Sequence, residues 1–158
     1  MGKSFRDEGL PGLVKKAFLM NGTFHPGRVE FIGDSLMVEV CGSKTNSSYL
    51  GEFHLSRLPG CCGAIVFHSV VLVPDVRGKG YGTALLKLRE RVAELGGYSL
   101  LMATVQTSNK VERHILKKAG WTCIKRFRNV CRGGNRLQLW VKYLYPDIDR
   151  LLPKEDMK

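Results

Sequence analysis

Between Val70 and Thr83 the chain reads Val-Val-Leu-Val-Pro-Asp-Val-Arg-Gly-Lys-Gly-Tyr-Gly-Thr. The alternating glycines Gly78, Gly80 and Gly82 leave successive backbone N–H groups unobstructed where an apolar run gives way to a helical pattern. Such N–H groups, aimed by the positive end of a new helix, make a cradle for pyrophosphate. Arg77 and Lys79 add positive charge, and Thr83 adds a hydroxyl at the helix start. Spacing excludes two other phosphate loops. There is no Gly-x-x-x-x-Gly-Lys-Ser/Thr, and a dinucleotide fingerprint would place its third glycine at Thr83 and follow its strand directly, whereas four residues separate Val73 from Gly78. The bland reading of the three glycines is a tight turn.

A second set of residues could move protons. His68 lies four residues before Leu72 in the same apolar run, and an imidazole has the ordinary pKa of a base working near neutrality. Glu52 and His54 alternate onto one face of an earlier strand and are further candidates. Against these stand a core histidine held by hydrogen bonds and a solvated strand face. The five cysteines (Cys41, Cys61, Cys62, Cys123, Cys131) form no Cys-x-x-Cys and keep no ligand spacing with the four histidines, so neither a disulfide framework nor a metal is expected. Cys61-Cys62 follows Pro59-Gly60 and reads as a turn entering a strand.

The elements that must carry these groups follow from periodicity. Leu10 to Asn21 reads as a short helix broken by His25-Pro26-Gly27, and Arg28–Ile32 with Leu36–Cys41 as a hairpin around Gly33-Asp34. Gly42 to Asn46 is a turn. Ser48 to Leu58 alternates, with Tyr49, Phe53 and Leu55 on one face and Glu52, His54 and Ser56 on the other. Ala64 to Val73 is expected to be a central strand covered on both faces. Thr83 to Leu95 is an amphipathic helix closed by Gly96-Gly97, Leu100 to Val105 a buried strand, and Ser108-Asn109 the cap of a helix running to Ala119. Trp121–Arg128 and Leu137–Leu144 form a final antiparallel pair around Arg132-Gly133-Gly134-Asn135. Strand–helix–strand units beside hairpins imply a mixed α/β sheet with helices on both faces, one domain over residues 1–145 and a polar tail over 146–158.

Arg77-Gly78-Lys79-Gly80-Tyr81-Gly82, after a strand ending Leu72-Val73-Pro74, resembles the Gln/Arg-x-x-Gly-x-Gly/Ala cofactor motif of the GNAT superfamily of acyl-CoA-dependent N-acyltransferases. The block from Asn109 to Leu116-Lys117-Lys118-Ala119-Gly120-Trp121 is similar to the family's next helix, which ends in a Gly-aromatic pair. The resemblance covers roughly Leu36 to Leu144 and implies a mixed, mostly antiparallel sheet, with the usual N-terminal helical region shortened. It further implies acetyl-CoA as co-substrate, with no metal, and direct attack of a primary amine on the thioester in a ternary complex. Backbone N–H groups from Arg77 to Gly82 would hold the pyrophosphate, backbone at Leu72 and Val73 would bind the pantetheine arm and polarise the thioester, and Asn109 would touch the pantetheine or the adenosine end. His68 stands where some members carry a histidine base. One departure is Leu116, at the position where many members place a tyrosine that protonates the leaving thiolate. Tyr143, Cys123 or water would then have to serve.

The net charge of +11 is concentrated: Lys110 to Lys142 holds ten Lys and Arg against Glu112 alone. Such a field draws phosphates, RNA or other polyanions, and its bland alternative is a solvated face. A basic nucleic-acid-associated module, or a fold that binds acetyl-CoA without turnover, are therefore the competing readings. The acceptor, small molecule or protein, is not legible, and a homodimer is compatible with the sequence. With no apolar run long enough for a membrane span and no apolar leader, a cytoplasmic protein with no membrane partner is expected.

Overall fold

A computed structural model describes residues 9–42, 48–128 and 136–145. The elements run α1 (Leu10–Asn21), β1 (His25–Ile32), β2 (Ser35–Cys41), β3 (Tyr49–Leu58), β4 (Cys61–Leu72), a 3-10 turn (Pro74–Val76), α2 (Tyr81–Leu95), β5 (Leu100–Gln106), α3 (Lys110–Lys118), β6 (Thr122–Phe127) and β7 (Leu137–Tyr143). The strands form one seven-stranded sheet in the order β1-β2-β3-β4-β5-β7-β6. Only β4 and β5 among the neighbouring pairs are parallel. The expected turn around Arg132–Asn135, most of that after Gly42, Cys131 and the tail from Pro146 lie outside the described residues.

Register shows how the sheet divides its faces. Leu36 pairs with Leu55, Leu55 with Phe67, Phe67 with Ala103 and Ala103 with Trp140, so these five buried side chains share one face. The helices pack there: Arg89 of α2 lies over the Phe67 ring, Trp121 after α3 packs on the same ring, and α1 meets α2. Both crossovers, β4-α2-β5 and β5-α3-β6, advance in the same direction across the sheet, and right-handed connections then put both helices on one side. The helices thus gather on one face rather than on both. The other face carries Ser35, His54, Ser56 and His68, all half-buried.

Several expected boundaries shift for physical reasons. α1 ends at Gly22, which takes φ 69° and caps Phe18, so His25-Pro26-Gly27 opens β1 instead of breaking the helix. Proline is tolerated there because β1 is an edge strand, bulged between Pro26 and Val29. Tyr49 is exposed and Leu50 buried, because β3 is irregular against Cys41 and the parity of its first residues flips. β4 is buried at Ala64, Ile65 and Phe67, while Val71 is exposed, so its second half is not covered on both faces. α2 starts at Tyr81, two residues before the expected Thr83. Among the described residues no helix is long and apolar enough to cross a membrane.

Candidate active site

β4 and β5 pair only from Ala64↔Leu100 to Phe67↔Ala103, although β4 continues to Leu72 and β5 to Gln106. Beyond Phe67 they part. At that point β4 carries a bulge: His54 faces His68, but Glu52 faces Val71, so one extra residue lies on β4. Ser69 sits at φ 51°, the lone described non-glycine residue with positive φ. The bulge turns β4 away from β5 and opens a cleft of about 440 Å³ lined by His68, Ser69 and Val70 on one side and Thr104, Val105 and Gln106 on the other, with Arg89, Asn109 and Glu112 beneath. Thr104 and Gln106 alternate with the buried Ala103 and Val105, so the cleft passes through the sheet from the helical layer to the open face.

Main-chain groups along the lip of β4 are partly committed. The Val73 N–H donates to the Leu50 carbonyl at 3.0 Å, toward β3, and is therefore turned away from the cleft. By strand alternation the N–H and C=O of Leu72 point to the cleft side. The Leu72 carbonyl accepts from Nε of Arg77 at 3.0 Å. The Arg77 N–H closes the 3-10 turn on the Pro74 carbonyl at 3.1 Å. Of the main-chain donors expected from the sequence, Val73 and Arg77 are thus engaged elsewhere. Val70, two residues before Leu72 on the same edge, was missed, and strand alternation was the signal for it.

The glycine loop has the conformation its sequence requires. Gly78 and Gly80 adopt φ of 75° and 83°, which L-residues reach only with strain, and a Cβ added at either would meet only open space. Gly82 differs. A Cβ there would come within 2.9 Å of the Ile115 side chain, so this glycine lets α2 approach α3. Gly80 caps α2 without a side-chain bond, and Ala84 N–H is the first to reach back to it, at 3.1 Å. The N–H groups of Tyr81, Gly82 and Thr83 consequently lack helical partners. The Tyr81 ring packs on Phe24, with centroids 5.8 Å apart, and anchors the helix start. Lys79 and Thr83 are exposed.

The three proton-handling candidates come together on the open face. Nε2 of His68 lies 2.8 Å from Ser56 Oγ and 3.2 Å from Ser35 Oγ, and its Nδ1 lies 3.4 Å from Ser69 Oγ. Ser35 Oγ is also 3.4 Å from Nδ1 of His54, whose Nε2 stands 3.6 Å from a Glu52 oxygen. Tyr49 donates to the other Glu52 oxygen at 3.2 Å. Burial, reinforced by the neighbouring His54, holds the His68 pKa below the ordinary histidine value, so its neutral form dominates near neutrality. Ser35 and Ser56 were not foreseen as partners; the signal was that Ser35 pairs with Ser56 across β2 and β3, one step from the histidines.

The floor of the cleft holds a buried ion pair that the sequence reading missed. Arg89 is 1% exposed and donates from Nη2 to Glu112 at 3.2 Å. The signal was its place inside the α2 apolar stripe, between Leu88 and Val92. Asn109, which lines the cleft, caps α3 by accepting from the Glu112 N–H at 3.1 Å, so its amide nitrogen is not used in the cap. Leu116 is fully buried. Tyr143 lies at the other end of β7 from cleft-lining Leu137, roughly 20 Å along the strand. Cys123 sits two strands from β5, beside Trp140, and neither residue reaches the cleft. Among the described residues no group of His, Cys, Asp and Glu is placed to hold a metal ion.

The sequence model of the acetyltransferase (GNAT) family matches residues 48–121, just under half of the chain. No curated protein matches the sequence. Solved structures share the fold at low identity. Nourseothricin acetyltransferase superposes with TM-score 0.59 at 20% identity, covering 70% of this chain and 65% of that one, so this chain spans slightly less than two-thirds of that relative. The spermidine/spermine N-acetyltransferase SpeG from Vibrio cholerae gives 0.61 at 12% identity over 75% and 72% of the two chains. The structure of yncA from Salmonella typhimurium with its cofactor acetyl-CoA gives 0.59 at 18% identity, over 70% and 65%. The parted β4 and β5, the glycine turn into α2 and the capped α3 all fall inside the segment that matches the acetyltransferase (GNAT) family model, and the chain has the GNAT fold.

Proposed function

We propose that this chain transfers an acetyl group from acetyl-CoA to a primary amine. The observation that carries the reading is the cleft through the sheet: its β4 lip runs straight into the glycine-rich start of α2, and His68 stands on its wall. The residues present fit the co-substrate, because the space before Gly78 and Gly80 is open and the first N–H groups of α2 are unpaired within the helix. When bound, acetyl-CoA supplies a thioester whose carbonyl an amine can attack.

In this reading Gly78 to Thr83 bind the pyrophosphate through main-chain N–H groups, with Lys79 adding charge and Tyr81 fixing the helix start. Leu72 and Val70 offer cleft-side main-chain groups to the pantetheine arm, and the Asn109 amide nitrogen is a further donor. Arg77 acts by holding the Leu72 carbonyl and thereby the lip. His68, kept neutral by burial, accepts the proton of the incoming ammonium at Nδ1, and Glu52 lies at the far end of the same polar cluster. No tyrosine reaches the cleft among its described lining, so the leaving thiolate takes its proton from water.

The acceptor is an amine on a small molecule or a protein, and a cytoplasmic setting belongs to the same proposal. A second reading has an observation of its own. Lys117, Lys118, Lys125, Arg126, Arg128 and Arg136 are exposed on α3 and the β6–β7 end of the sheet, none of them in the cleft lining, and could hold RNA or another polyanion. Lys142 is not part of that surface, since it pairs with Glu90 at 3.0 Å. Calorimetric titration with CoA, followed by mass spectrometry of lysate treated with the protein and isotopically labelled acetyl-CoA, tests the proposal. Saturable CoA binding and label on an amine are expected. No CoA binding would overturn it, and binding without label would leave a fold that holds CoA without turnover.

A further inference from the structure

The cluster on the open face has a direction that a core histidine would not need. Two hydroxyl oxygens, Ser56 Oγ at 2.8 Å and Ser35 Oγ at 3.2 Å, converge on the single atom Nε2 of His68. A neutral ring nitrogen carries either one lone pair or one N–H. One lone pair cannot serve two donors well, whereas one N–H shared between two acceptors is a common arrangement. The geometry therefore favours His68 as the Nε2–H tautomer, leaving the Nδ1 lone pair beside Ser69 on the cleft wall. Ser35, accepting from His68, is free to donate its own hydrogen to Nδ1 of His54, 3.4 Å away. His54 then carries its proton on Nε2, facing Glu52 at 3.6 Å. Each atom has one role and the roles run one way.

We propose that Ser35 joins His68 and His54 into one proton relay, which takes a proton released in the β4–β5 cleft and delivers it to Glu52 on the open face of the sheet. This rests on the acetyl-transfer reading for the source of the proton, and not for the relay itself. The transfers balance as follows. A proton arrives at Nδ1 of His68. Its Nε2–H passes to Ser35 Oγ as the Ser35 hydroxyl hydrogen passes to Nδ1 of His54, so no alkoxide forms. His54, now holding two ring protons, gives up its Nε2–H to Glu52 or to solvent. His68 is left as the Nδ1–H tautomer and resets by exchange with solvent. Ser56 holds the ring and Ser35 conducts, so their loss should have different consequences.

The charged and titratable groups on the β1–β4 part of this face around the cluster are Arg28 and Glu30 from β1, Glu39 and Cys41 from β2, Tyr49, Glu52 and His54 from β3, and His68 from β4. Arg28 is paired with Glu39 at 3.0 Å and with Glu30 at 3.3 Å, which leaves Glu52 as the acid nearest His54. Glu52, 3.6 Å from Nε2 of His54, places a carboxylate at the outer end of the chain of groups, and this gives the relay its outward direction.

The test has two arms on the full chain. Nitrogen-15 NMR of the imidazoles reads tautomers without any turnover. It should show protons on Nε2 of both His68 and His54 at neutral pH, and in Ser35→Ala the shift of His54 Nδ1 should move toward that of a free lone pair. In the second arm, release of CoA with the amine found above should fall about 10- to 100-fold in kcat for Ser35→Ala. CoA affinity should be unchanged, the pH profile altered, and activity restored in Ser35→Thr, which keeps a hydroxyl. A His68 proton found on Nδ1, or a Ser35→Ala variant with wild-type kcat and pH profile, would overturn the relay. If the wild-type chain transfers to no amine, the acetyl-transfer reading falls alone and the tautomers decide the relay.

Discussion

Replacing Gly80 by alanine separates what the glycine loop does for the fold from what it does for a ligand. Gly80 sits at φ 83°, and an added Cβ has no described atom within 4 Å. Nothing is lost or crowded in the free protein, so the stability effect is the left-handed strain of one L-residue, about 1–2 kcal/mol. The ligand effect is separate. The new methyl group projects beside the unpaired N–H groups that open α2. If it denies a phosphate two of those hydrogen bonds, at roughly 1.5–3 kcal/mol each for bonds to a charged group, about 3–6 kcal/mol of binding is lost. That corresponds to a 10²- to 10⁴-fold rise in Kd. Calorimetry with CoA and thermal unfolding on the same sample give both numbers. A Tm lowered as expected with unchanged CoA affinity would show that the loop is only a turn, and would refute the cradle.

His68→Gln keeps a hydrogen-bonding side chain of similar reach but cannot take the proton; kcat should fall roughly 10²- to 10⁴-fold with CoA affinity retained, and normal turnover would return His68 to the core. Wild-type activity should drop on acidification, as His68 becomes protonated below the ordinary histidine pKa. Because that folded pKa is depressed, the stability from the neutral ring is present above the unfolded value and lost as pH falls through the folded one, which unfolding curves at several pH values would show. Glu112→Ala leaves Arg89 charged and unpaired in the core and should cost about 3–5 kcal/mol by denaturant unfolding, most of it recovered when Arg89→Met is added. Neutralising Lys125, Arg126 and Arg128 together should flatten the salt dependence of RNA binding and leave CoA affinity unchanged; an unaltered salt slope makes them a solvated face. Ser69→Gly relieves a positive φ of 51° and should stabilise the fold by about 1 kcal/mol in thermal unfolding.

What was legible in the sequence was whatever one element decides for itself. α1 runs from Leu10 to Asn21 as its spacing predicts, the β1–β2 hairpin turns at Gly33-Asp34, and Asn109 caps α3. What was not legible depends on two or more strands at once. That Val73 is turned to β3 follows from its bond to Leu50, twenty-three residues earlier. That Tyr49 is exposed follows from an irregularity opposite Cys41. Ala64–Val73 reads as covered on both faces because it is apolar almost throughout, but the loss of cover beyond Phe67 needs β5 to leave, which nothing within Ala64–Val73 announces. For the same reason Arg89 could be read as an oddity in an apolar stripe, whereas its partner Glu112 belongs to another helix.

The bulge at Ser69 ties the proposed cofactor site to the proposed proton path. Before it, β4 is an ordinary central strand, with Phe67 in the helical core and His68 on the open face beside His54. With one extra residue inserted, the strand bends away from β5 and frees its main-chain edge from Val70 to Leu72. Without the insertion the parallel ladder could run on toward Gln106, the cleft would close, and the Leu72 N–H would be satisfied by protein. His68 would still touch Ser35 and Ser56, yet its Nδ1 would face a paired strand and have no proton to collect. The strained φ of Ser69 therefore lies at the one position where opening the sheet also exposes a base to the space it opens, which is where stored strain has a functional reading. The serine also places its hydroxyl 3.4 Å from that same Nδ1, so a glycine that relaxed the backbone would remove the one side-chain group holding the ring from the cleft side.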